Sequence, residues 1–64
     1  MIIEEVKKNL NKMVRYKEKE GIYKLTACIL RKDKQECFYQ AELLNMKHGN
    51  STIICKLEDV GVLE

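Results

Sequence analysis

The sequence predicts an α+β fold, with an N-terminal helix packed on an antiparallel meander, and three observations lead there. Apolar residues recur at three- and four-residue steps between Ile2 and Met13, the period of one helical face. In the run YKLTACILRKDKQECFYQAELL, from Tyr23 to Leu44, they alternate at every second position, the period of a strand. Polar stretches that carry glycine, KEKEG and NMKHGNS, bound this run and mark chain reversals.

The predicted helix covers residues 2–13. Ile3, Val6, Leu10 and Met13 form its stripe, and Ile2 widens it. Glu4 and Glu5 precede Lys8 by one turn, so opposite charges line the solvent side and the acids sit near the positive end of the helix dipole. Fewer than two heptads are too few for a coiled-coil seam, so the stripe is read as core packing. A helix this short is marginal alone and has to dock. Residues 13–17 read as a short strand, although a helix running on to Tyr16 fits the same letters. Gly21 then closes the KEKEG turn, since glycine accepts a positive φ.

Strands over residues 21–31, 37–46 and 51–57 complete a three- to four-stranded sheet. A tip of Lys32, Asp33 and Lys34 sets Ile29 beside Cys37, Leu25 beside Ala41 and Tyr23 beside Leu43, with Lys24 opposite Glu42 on the reverse face. The second reversal, with Gly49 in a left-handed position, sets Leu43 against Ile53 and Ala41 against Cys55. Tyr23, Leu25, Ala27, Ile29, Tyr39, Ala41 and Leu43 then share the inner face that receives the helix. The outer face holds Ile22, Cys28, Leu30, Phe38, Leu44 and Ile54 among its polar residues. Apolar groups in that number call for cover. Closure into a small SH3-like barrel, a second copy of the chain, or another protein would each supply it.

Composition bounds the function. Sixty-four residues, 45% hydrophobic and 34% charged, suit one compact domain rather than a disordered chain. The net charge of +2 is too balanced for a strongly basic nucleic-acid binder. Lys56 is the only basic residue after Asn50, against Glu58, Asp59 and Glu64. Cys28, Cys37 and Cys55 are odd in number and widely spaced, which fits buried thiols in a reducing compartment better than a disulfide framework. The N-terminus carries acids where a secretory leader carries bases, and no apolar run is long enough to span a membrane, so a cytoplasmic protein is expected.

The residues of chemistry are sparse. His48 lies in a turn with no Ser or Cys placed beside it to form a nucleophile pair. Glu36 with Glu42, or Glu58 with Asp59, read as solvated carboxylates rather than an acid–base pair. No glycine-rich phosphate loop is present, and no cofactor is expected. Cys28, Cys37, His48 and Cys55 make a zinc set by number alone, because they lack the short knuckles that bring ligands together. The expected function is therefore a non-enzymatic protein-binding module using the outer face. The alternative is nucleic-acid binding through Arg31, Lys32 and Lys34 at the hairpin tip, helped by Lys47, with Phe38 and Tyr39 to stack on bases. Against it, Lys47 falls a strand length away and Tyr39 on the core face, and a charged tip also serves simply to blunt aggregation.

The run YKLTACILRKDKQECFYQAELL followed by STIICKLEDV resembles short, uncharacterised proteins carried by phages and mobile elements of Gram-positive bacteria. Such proteins often act by binding, some of them as blocks on host enzymes or antiviral defence systems. The resemblance implies that class of role and assigns no individual residue.

Overall fold

The computed structural model describes residues 1–47, 49 and 51–63. Helix α1 (Ile3–Asn9) is followed by strands β1 (Met13–Tyr16), β2 (Lys19–Asp33), β3 (Glu36–Asn45) and β4 (Thr52–Lys56). A 3-10 turn (Leu57–Asp59) then leads into β5 (Val60–Val62). The fold is α+β: one N-terminal helix against a five-stranded antiparallel sheet in the order β4-β3-β2-β1-β5. No helix among the described residues is long and apolar enough to cross a membrane.

The helix is shorter than its apolar period predicts. The Glu5 carboxylate accepts from the Ile2 N–H at 3.1 Å and so caps the first turn. At the other end the Asn9 side chain donates to the Glu5 carbonyl at 2.7 Å, Leu10 is already extended, and Asn11 takes a φ of 64°. Asparagine competes for the backbone and tolerates the left-handed region, so two of them within three residues end the helix. The chain is then drawn onto the sheet, where the Asn11 N–H donates to the Leu25 carbonyl at 2.7 Å and the Leu25 N–H to the Lys12 carbonyl at 3.0 Å. Met13 thus belongs to β1 rather than to the helix.

The first reversal is also tighter than KEKEG suggested. Tyr16 pairs with Lys19, leaving only Lys17 and Glu18 in the turn. Gly21 lies inside β2, at a register shift, with a φ of 120°. The next hairpin turns at Lys34 and Gln35, not at Lys32–Lys34, with Lys34 at a φ of 57°. Its register carries one further irregularity. Leu25 pairs with Leu43, yet Ala27 pairs with Glu42, so Thr26 is the extra residue of a bulge.

That bulge exchanges the two faces of the distal half of β2. Ile29 faces Gln40 instead of Cys37, and Cys28 faces Ala41. Cys28 and Leu30, expected on the outer face, share the inner face with Ala41 and Tyr39. Ala27 and Ile29 take their place outside. Lys24 stands opposite Leu44 rather than Glu42. Strict two-residue alternation has no means of marking an inserted residue. The β3–β4 pairs form as expected, Leu43 with Ile53 and Ala41 with Cys55.

The core follows from this register. Val6 of the helix joins Val14, Tyr23, Leu25, Ala41, Leu43, Cys55, Leu57 and Val60 in one buried cluster. Beyond β4 the 3-10 turn carries the chain to the far edge, where β5, absent from the sequence reading, pairs with β1. The Met1 amine donates to the Leu57 and Val60 carbonyls at 3.1 and 2.6 Å, and the Lys17 N–H to the Asp59 carbonyl at 2.9 Å. The sheet is not closed, and β4 and β5 remain its two edges, so the barrel alternative is not the structure.

Candidate interaction site

β1 pairs with β2 only as far as Lys24, and β4 ends opposite Gln40 of β3. Past these points the β2–β3 hairpin runs on with no strand on either flank, as an arm of a molecule measuring 37 × 22 × 18 Å. The arm is apolar on both faces. On the inner side Leu30 pairs with Tyr39, and on the outer side Phe38 stands opposite Arg31, two rungs from Ile29. Leu30 is 61% exposed, and Phe38 and Tyr39 are exposed as well. The seven-residue helix contributes only Val6 to the buried core, which does not extend to this part of the sheet.

Where the arm leaves the body, a groove of about 650 Å³ opens. It is lined by Glu36, Phe38, Tyr39 and Gln40 of β3, by residues Met1–Glu4, and by Lys56, Leu57 and Glu58. Ile2, at 62% exposure, and Ile3 present further apolar surface beside it. Glu36, Phe38 and Tyr39 of β3 border this groove, and residues 36–39 have β2 on one side and no strand on the other.

The six residues expected on one interface are dispersed. Ile22, opposite Arg15, and Leu44, opposite Lys24 and Thr52, lie toward the end of the sheet away from the arm. Ile54 sits at mid-sheet opposite Glu42. Cys28 is partly buried against the core. Only Leu30 and Phe38 reach the arm, on opposite faces. Eight residue steps of β2 separate Ile22 from Leu30, roughly 26 Å at strand rise. Polar contacts interrupt the outer face between these groups: Thr26 donates its hydroxyl to Glu42, and Arg31 Nε donates to Gln40 Oε1. Ile2, Ile3, Ile29 and Tyr39 are core residues in the sequence pattern, not members of the expected protein interface. The signal for the last two was present in Ile29-Leu30 and Phe38-Tyr39, consecutive apolar pairs on facing strands that make a hairpin end apolar on both sides.

The basic set is divided as well. Arg31, Lys32 and Lys34 occupy the arm tip, where Asp33 pairs with Glu36 among them. Lys47 lies in the β3–β4 loop at the opposite end, its N–H on the Asn45 side-chain oxygen at 2.9 Å.

Little here is disposed for nucleophilic chemistry. Burial pushes the Cys28 thiol above its ordinary range, and burial, reinforced by Asp59, does the same to Cys55. That is the reverse of what a reactive thiolate needs. Burial first, then Cys55, Glu18, Asp59 and Tyr23, raises the Tyr16 phenol. Lys56 and Glu58 stand 4.0 Å apart with both side chains well exposed. Among the described residues no cluster of ligating side chains could hold a metal ion. His48, the fourth member of the zinc set, lies outside the described residues. Comparison with protein-family models, with curated proteins and with solved structures gives no match to this chain.

Proposed function

We propose that this chain is a non-enzymatic protein-binding module that engages its partner through the β2–β3 arm. One observation carries the reading: Leu30, Tyr39 and Phe38 stand on successive rungs of a hairpin that has no neighbouring strand on either flank, and Ile29 stands on the rung before them, where β4 ends. Apolar side chains on both faces of an isolated hairpin are a cost in water unless another surface covers them. The resemblance to short phage and mobile-element proteins points to a host enzyme or an antiviral defence system as the class of partner, met in the cytoplasm, with the chain acting as an inhibitor.

Nucleic-acid binding through Arg31, Lys32 and Lys34 has weaker support, because Asp33 and Glu36 dilute the tip and Lys47 lies at the other end of the molecule. The test compares two double variants in affinity capture from lysate, each checked by circular dichroism. Leu30→Asp with Phe38→Asp should lose every specific partner while keeping the fold, since unpaired carboxylates in an interface cost several kcal/mol. Ile22→Asp with Ile54→Asp should retain them. Loss in the second variant alone would return the interface to the sheet centre. Binding that vanishes between low and physiological salt would favour nucleic acid.

A further inference from the structure

We infer that the open edge of β3 pairs with the same edge of a second copy, joining two sheets across a two-fold axis at Cys37. The inference rests on the arm being a binding element and names its occupant. Three features single out a second copy.

The first is the direction of the free main-chain groups. The Asn45 N–H donates to the Ser51 carbonyl at 2.8 Å, so Asn45 turns its backbone toward the β4 side. Backbone direction alternates along a strand, and β3 carries no inserted residue. Cys37 and Tyr39 therefore turn their groups to the same side, at a level where β4 has already ended.

The second is register. A two-fold perpendicular to the sheet keeps each face on its own side, so residues that meet must belong to the same face. Cys37 opposite the partner's Cys37 satisfies this and sets Glu36 opposite the partner's Phe38. The partner's turn residues Gln35 and Lys34 then come level with Tyr39 and with Gln40, where β4 ends at Lys56. Moving the axis on to Phe38 would instead drive the partner's Glu36 into Lys56. The open length of β3 thus matches the strand that such a hairpin tip offers.

The third is charge. In this arrangement the partner's Lys34 comes level with Gln40 in the groove lining, where Glu4, Glu36 and Glu58 stand against the single Lys56. The basic tip of one copy meets an acidic rim on the other, twice by symmetry.

The test is the mass in solution of the full chain, measured by light scattering from micromolar to millimolar concentration. The expected result is a concentration-dependent rise from 7.5 kDa to twice that value. Diamide should trap the dimer, taking two hydrogens from two thiols to leave one disulfide, and peptide mapping should place it at Cys37, the exposed cysteine. Cys37→Ser should lose the cross-link and keep the dimer. Cys37→Pro, which removes a main-chain donor from the open edge only, should abolish the dimer with an unchanged circular dichroism spectrum. Should that variant not fold, Lys34→Glu should weaken association about tenfold, and adding Glu58→Lys should restore it. A chain monomeric throughout the range overturns the inference, as does a dimer that neither cross-links at Cys37 nor responds to these changes. A monomer whose foreign partner is still lost on Leu30→Asp with Phe38→Asp would leave the proposed function standing without the dimer. A Cys37-linked dimer that captures nothing would do the reverse.

Discussion

The Thr26 hydroxyl lies 3.0 Å from the main-chain carbonyl of Glu42 and 2.7 Å from its carboxylate, a shared donation that holds the inserted residue of β2 against β3. The part of β2 distal to this contact has its faces exchanged, including Ile29 and Leu30. Replacing the hydroxyl with a methyl removes the donor and leaves shape almost unchanged. Thr26→Val should cost about 1 kcal/mol in urea unfolding, the usual size of such a bond at a half-buried site, and Thr26→Ser should recover most of it.

Gly21 holds a φ of 120°, which side-chain-bearing residues rarely adopt. A Cβ there would meet only the Tyr23 ring edge at 3.9 Å, so space is not the obstacle. Gly21→Ala should destabilise by about 1–3 kcal/mol through backbone strain alone. Denaturant unfolding with an unchanged m-value would bear this out.

Lys34 presents the opposite case, a long side chain at a φ of 57° in a two-residue turn. Lys34→Gly should relieve the left-handed strain and raise stability by up to about 1 kcal/mol. The readout is the melting temperature at a concentration where the chain is monomeric, since Lys34 also figures in the proposed pairing.

Stability should also fall in alkali. Burial raises the thiols of Cys28 and Cys55 above 9.0 and, with its acidic neighbours, the Tyr16 phenol above 10.0. A raised value means that the folded chain keeps protons the unfolded chain releases. The associated stability is complete below pH 9 and is lost as pH climbs through the folded-state values. Melting temperature should be flat with respect to these groups near neutrality and decline from about pH 9. Cys55→Ala should weaken that decline, at the cost of a lower starting stability.

The sequence made the helix, the hairpins and the Tyr23–Leu25–Ala41–Leu43 inner face legible because each rests on a period that side chains display openly. What it hid were single-residue events. Thr26 is an ordinary strand residue until β3 is alongside it, and its insertion moved Cys28 and Leu30 to the other face. The apolar period runs past the helix because Leu10 and Met13 continue it, while Asn9 and Asn11, which end the helix, act through backbone conformation. The open end of β3 was not legible either, for it depends on where β4 stops. Phe38 and Leu30 were identified as interface residues, but for a face they do not share.

Amide hydrogen exchange resolved by residue tests the central claim, that the free edge of the arm is the binding surface, most directly. In dilute solution the Phe38 amide, directed at β2, should be protected and the Cys37 amide, directed at the open edge, should exchange freely. Raising the concentration, or adding a captured partner, should slow Cys37 while leaving Phe38 unchanged. A Cys37 amide already protected in the dilute monomer, or one that stays fast when the chain is bound, would contradict the account.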